Sequence, residues 1–133
     1  MKDIAIPFHL AAPVILCLVG LSMIVFYYKI LKKNRFFWNS LILFLALYLL
    51  IVGKATFDNI YCQWDLNRYD LNKDGFFNGI EITNSQKEAM KVLINDAGRN
   101  FSFISGFIFS FFATTIFYVL GLITSKFIRS NKE

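Results

Sequence analysis

Charge is missing from most of this chain. The runs Ile4–Tyr28, Phe36–Gly53 and Asn100–Ser125 contain no Asp, Glu, Lys or Arg. A transmembrane helix needs about 20 predominantly apolar residues, which each run supplies or nearly supplies. Mean hydropathy over the chain is +0.52, and 16 of its 133 residues are Phe. These features exclude an ordinary soluble domain and point to a bilayer. The first run has an apolar stretch too long for a cleaved signal and no small-x-small site after it, so it is expected to remain in the mature protein.

Proline, cysteine and histidine are almost as scarce. Pro7 and Pro13 are the only prolines. Both lie near the start of the first run, where a helix tolerates proline best. The stretch from Trp38 to Asp70 has no Pro and a single Gly, Gly53. The second span is therefore expected to continue past the membrane as one helix. His9 is the only histidine. One His does not make a metal site, so His9 reads as a polar residue at the outer interface. Cys17 is expected roughly 15 Å along the first span, at about 1.5 Å per residue, and Cys62 outside the membrane. A disulfide needs Cα atoms within about 7 Å, so both read as free thiols that pack as small apolar groups. There is no catalytic triad, phosphate loop, HExxH or haem motif, and the chain is not read as an enzyme.

The charge that is present is unevenly placed. The net charge is +5. The connector after the first run carries Lys29, Lys32, Lys33 and Arg35 without an acid, and the C-terminal tail carries Lys126, Arg129 and Lys132 against Glu133. The long connector from Lys54 to Arg99 has six basic and seven acidic residues. Short basic loops stay in the cytoplasm. The expected orientation thus puts the N-terminus and long connector outside and the C-terminus in the cytoplasm of a multi-pass cell (inner or plasma) membrane protein. Tyr27, Tyr28, Phe36, Phe37 and Trp38 would mark the inner interface as an aromatic belt. Both basic clusters abut spans and neither lies in a nucleic-acid motif, so no nucleic-acid partner is expected.

Within the long connector, residues 70–81 read D-x-N-x-D-G-x₅-E: Asp70, Asn72, Asp74, Gly75 and Glu81 at fixed spacing. A hard cation takes roughly six to eight oxygens, and this spacing can fold them around one centre. The stretch resembles the calcium loop of the EF-hand superfamily. That resemblance implies Ca²⁺ as the bound ion, with side-chain oxygens from Asp70, Asn72 and Asp74, the backbone carbonyl of Phe76, Asn78 directly or through water, and a bidentate Glu81. Gly75 would make the sharp turn. It covers the loop and the preceding face of Cys62, Leu66 and Tyr69, which fall on one side of a helix entering the loop. The chain departs from the family pattern in three ways. It has no second loop, it has the bulky Phe77 at the eighth position, and Thr83–Ser85 interrupts the expected exit helix. Phe77 is then expected to pair with a second copy or pack on another subunit.

After the loop, Thr83 and Gln86 have the spacing of a capping box. The next helix would put Met90, Leu93, Ile94 and Ala97 on one side and Lys87, Glu88, Lys91 and Asn95 on the other. Gly98 would cap it, and the third span would begin near Phe101. On that span Ser102, Gly106, Ser110 and Thr114 recur every four residues, a small-residue face suited to close helix packing within the chain, with other membrane subunits or in self-association. Lys54 and Asp58 read as a helix-face ion pair at the outer interface.

The expected architecture is an all-α membrane protein: three transmembrane helices with one extracytoplasmic EF-hand loop between helices 2 and 3. Residues 1–57 would hold the first two spans and their cytoplasmic connector, 58–99 the outer EF-hand segment and amphipathic helix, and 100–133 the third span and basic tail. The expected function is calcium binding in an accessory or structural subunit of a membrane assembly, embedded in lipid. A calcium-responsive membrane regulator is the first alternative. A small transporter or channel component is the second, disfavoured by the few ionisable groups inside the spans.

Overall fold

The computed structural model describes residues 4–27 and 35–130, with side chains to 127. The expected basic connector residues Lys29, Lys32 and Lys33, together with Tyr28 and the tail residues Lys132 and Glu133, lie outside the described residues. Among the described residues, four α-helices follow in order: α1 (Phe8–Tyr27), α2 (Arg35–Asn67), α3 (Asn84–Ile94) and α4 (Ala97–Ser130), with a 3-10 turn at Gly79–Glu81 before α3. The helices α1, α2 and α4 are each long and apolar enough to cross a membrane.

The α2 helix is continuous through Gly53, as expected from a stretch without breakers. Its 33 residues span roughly 50 Å at about 1.5 Å per residue, against a hydrocarbon core of about 30 Å. A bilayer crossed by α2 would therefore leave part of the helix projecting. Positions 57/58 and 99/100 fall inside α2 and α4.

Among the described residues, α2 is also the centre of the bundle: it packs along α4 and along α1, whereas α1 and α4 touch only lightly. Leu10, Val52 and Ala55 form the buried core, with Val14, Tyr48 and Phe103 against it. The Tyr48 hydroxyl donates to the Phe103 carbonyl at 3.0 Å, which gives a phenol in apolar surroundings its polar partner. Phe36 stacks on Phe117 at the other end of the α2–α4 contact. Phe8, Leu16, Phe26, Leu50, Phe109 and Phe112 point outward, as apolar groups do when the surrounding solvent is lipid.

Most hydroxyls along the spans are satisfied locally, whereas Ser102 Oγ and Ser110 Oγ are buried without a hydrogen-bond partner. Ser40 donates to the Phe36 carbonyl, Thr56 to Val52, Ser105 to Phe101, Thr114 to Ser110 and Thr115 to Phe111. Each reaches back one turn, the route open to Ser and Thr where water is absent. Pro7 supplies the carbonyl that accepts the first helical bonds of α1, from Leu10 and Ala11, both at 3.0 Å. Pro13 sits further in and has no N–H to return a helical bond to the His9 carbonyl.

The joint between α3 and α4 differs from expectation. Gly98 does not cap α3. That helix ends at Ile94, with the Asn95 N–H on the Lys91 carbonyl, and Gly98 lies in the first turn of α4. Asp96 caps α4 instead by accepting the Arg99 N–H at 2.9 Å. A short acidic side chain satisfies an orphan helix donor better than glycine can. Ala97 accordingly opens α4 rather than completing the apolar face of α3, and α4 begins one turn before the predicted Phe101. The capping box at α3 is half made. Thr83 accepts the Gln86 N–H at 3.1 Å, but the Gln86 side chain is buried and turns to the Met90 sulfur at 3.7 Å.

The small-residue face of α4 is buried against α2. Ser102, Ser110 and Thr114 are all buried, and a Cβ on Gly106 would lie 2.8 Å from Ile51 Cγ2. The stripe is thus occupied within the chain.

Candidate metal centre

The C-terminal end of α2 tightens before it stops. The Arg68 N–H donates to the Asp65 carbonyl at 3.2 Å, and the Tyr69 N–H to Leu66 at 3.1 Å. Arg68 lies 5.4 Å over the Trp64 ring and pairs with Asp65 at 3.6 Å. Asp70 follows directly, so the first candidate ligand is carried at the tip of the rigid central helix.

Asp70 is only 8 % exposed. Its Oδ2 accepts the Gly75 N–H at 2.9 Å, while its enclosed Oδ1 has no hydrogen-bond partner. The chain reaches this arrangement through two left-handed residues, Lys73 (φ 60°) and Gly75 (φ 82°). Glycine adopts that conformation without a Cβ penalty, which accounts for Gly75 in the motif.

Asn72 and Asp74 are exposed and bond to each other. The Asn72 amide donates to Asp74 Oδ2 at 2.9 Å, and the Asp74 N–H returns to Asn72 Oδ1 at 3.0 Å. Asp74 Oδ1 accepts the Phe76 N–H at 2.7 Å. The Phe76 side chain is exposed, and so is Asn78, which precedes the 3-10 turn.

Glu81 closes the loop. It is 5 % exposed. Its Oε1 accepts from Leu71 at 2.8 Å and Asn72 at 3.1 Å, and its Oε2 accepts from Asn78 at 3.1 Å. The N–H groups of Asn78, Asn72 and Leu71 hold the carboxyl below the usual range, against the opposing influence of burial and the negative Asp74. One carboxylate thereby ties the end of the loop to its beginning.

The structure puts the two buried carboxylates, Asp70 and Glu81, at opposite ends of one compact loop and leaves Asp74 at its exposed edge. Among the described residues, no three Asp, Glu, His or Cys side chains gather as a metal-holding group. The orphaned Asp70 Oδ1 is the observation that fits a hard cation. It is a desolvated carboxyl oxygen with nothing to accept from, an arrangement that costs free energy unless a donor or a cation meets it.

The α3 helix packs against α2 beside the loop. A groove of about 800 Å³ runs between α2, the loop and α3, with Leu66, Phe77, Ile82, Met90 and Leu93 among its walls. Phe77 is half-buried there and lines the groove. Gln63 holds the segment before α1 at the groove's edge. Its Oε1 accepts the Ala5 N–H at 2.9 Å, its Nε2 donates to the Ala5 carbonyl at 2.7 Å, and the buried Asn59 accepts a further Nε2 bond. Neither amide carried a spacing signal beyond its four-residue separation. His9 packs its ring 5.4 Å from Phe103, and its Nε2 is enclosed without a partner. Lys54 and Asp58 form an exposed helix-face ion pair. Cys17 and Cys62 are free.

No protein-family model, curated protein or solved structure matches this chain.

Proposed function

We propose that this is an integral membrane protein whose extracytoplasmic loop binds one Ca²⁺ and that it serves as an accessory or structural subunit of a membrane assembly. The observation that carries the reading is Asp70: a buried carboxylate with one oxygen on Gly75 and the other unpartnered, at the head of the D-x-N-x-D-G-x₅-E spacing. Asp70, Asn72, Asp74, Asn78 and Glu81 side chains and the Phe76 carbonyl would hold the ion. The ion would supply the positive charge that two buried carboxylates lack. Extracellular calcium modules work at about 10⁻⁴–10⁻³ M, so an outward-facing site of this kind is filled where calcium is plentiful and acts as a staple. A membrane partner would meet the exposed apolar faces of α1 and α4.

Calorimetry on the detergent-solubilised chain tests this. One Ca²⁺ per chain is expected, with weak competition from Mg²⁺, which demands a tighter octahedral shell. At calcium one hundred times Kd, binding adds about 2.7 kcal/mol of stability. Chelation should therefore lower Tm and open residues 65–85 to proteolysis while α1, α2 and α4 stay helical. Absence of binding heat up to millimolar calcium would reject the proposal.

Orientation is a separate prediction, resting on the basic connector and tail. A membrane-impermeant thiol reagent applied to intact cells, or to spheroplasts, should label Cys62, which is half-buried beside an open cavity of about 340 Å³. A cysteine placed at Asn131, a position outside the described residues, should react only after the membrane is opened. Reversed labelling would put the loop in the cytoplasm and favour a regulator.

A further inference from the structure

The calcium reading leaves open what the ion would do to the membrane helices. Only Ile82 and Thr83 separate the loop's last residue, Glu81, from α3, and the Thr83 N–H donates to the Glu81 carbonyl at 3.0 Å. The α3 helix is a rigid rod of 11 residues. Only Asn95 and Asp96 separate its far end from α4. A two-residue joint can swivel, so movement of α3 reaches α4 only if something fixes the angle between them.

Arg99 is positioned to fix it. Its side chain is 3 % exposed. One guanidinium nitrogen donates to the Leu93 carbonyl and, at 3.5 Å, to the Val92 carbonyl, which belong to the last turn of α3. The other terminal nitrogen donates to Cys62 Sγ of α2 at 3.2 Å and lies 3.7 Å from Asp96 Oδ2. Its Nε has no partner. One planar fork from α4 therefore grips the end of α3, the joint and α2 together. Orphan carbonyls at a helix end are natural acceptors for such a cation. Lysine cannot reproduce the grip, because a single ammonium lacks the spread donors of a guanidinium.

We infer that Arg99 is the coupling residue between the calcium loop and the outer end of α4: ordering of the loop is passed along α3 and through this guanidinium into the membrane helix. The inference rests on the calcium reading and extends it from a local staple to control of a membrane-spanning element. Arg99 acts here as a positioning residue, with no role as an ion ligand.

Hydrogen–deuterium exchange on the full chain in lipid nanodiscs tests it, with calorimetry on the same samples. In the unsubstituted protein, calcium should slow exchange at residues 100–105 by at least about tenfold, a bound set by about 1.4 kcal/mol of local stabilisation. Arg99→Gln and Arg99→Lys should keep calcium affinity within about threefold while the calcium-dependent change at 100–105 falls below about twofold. A merely structural Arg99 would instead speed exchange there equally with and without calcium, and that result overturns the inference. So does a full calcium response in either variant. A second perturbation avoids any folding defect. In a Cys17→Ala background, methylthiolation of Cys62 in the folded protein should push the guanidinium aside and abolish the response, and reductant should restore it. An undiminished response after modification also overturns the inference. Calcium binding without any change at 100–105 rejects the coupling and leaves the calcium site standing, whereas no binding at all rejects the calcium reading itself.

Discussion

Glu81→Gln is expected to weaken calcium binding by on the order of a hundredfold, while Asn78→Ala weakens it by no more than about threefold. The difference follows from what each side chain does in the loop. Glu81 is buried, and its two oxygens accept three backbone N–H groups, from Leu71, Asn72 and Asn78. The amide removes a full negative charge facing a divalent cation and turns an N–H toward groups that are themselves donors. Asn78 is exposed, and the ninth-position ligand of such loops often acts through water. The same hold makes the loop acid-sensitive. The Glu81 pKa is depressed on folding, so its contribution is present above the unfolded value and is lost as pH falls through the folded one. Titration calorimetry of both variants at neutral pH decides the matter; equal affinities would remove Glu81 from the site.

Gly106→Val should force α2 and α4 apart and destabilise the helix bundle. A Cβ at Gly106 would lie 2.8 Å from Ile51 Cγ2, 3.3 Å from Ile51 Cβ and 3.5 Å from Tyr48 Cδ2. Ile51 is β-branched and its contacting atoms sit close to the backbone, so α2 and α4 must separate rather than one side chain turning aside. Overpacking of this kind costs about 1–3 kcal/mol or more. Gly121 provides the contrast. A Cβ there would overlap the Phe36 ring, with its nearest atom at the far tip, Cζ. That ring can rotate away, so Gly121→Ala should cost less than Gly106→Ala despite the closer nominal contact. Thermal unfolding in detergent, followed by circular dichroism, compares the variants directly. The reverse order of stability would mean that α4 is not seated on α2 through Gly106.

The charge-free runs made three membrane-length helices legible, because composition alone decides which segments can replace water with lipid. The continuity of α2 was also readable, since nothing between Trp38 and Asp70 interrupts helical hydrogen bonding. Local signals were less decisive at the α3–α4 joint. Gly98 and Asp96 each offer a plausible end for a helix, and propensity does not rank a C-cap against the next helix's N-cap. The partner of Arg99 settles the geometry, and that partner lies partly on α2, 37 residues away. The same limit applied to the small-residue face of α4. Its spacing announces close packing, but whether the neighbour is α2 or another molecule is a property of the assembled helices.

The candidate site divides along the same line. The order of oxygens from Asp70 to Glu81, the glycine that turns the loop and the absence of a second loop are properties of the sequence alone, because each follows from residue type at fixed spacing. The burial of Asp70 and Glu81, the unpartnered Asp70 Oδ1, the place of Phe77 in the groove, the hold of Gln63 on Ala5 and the grip of Arg99 on α3 were decided only by tertiary structure. Those features depend on which segments meet across the C-terminal end of α2. Such meetings are set by how whole helices pack, and no local pattern encodes them.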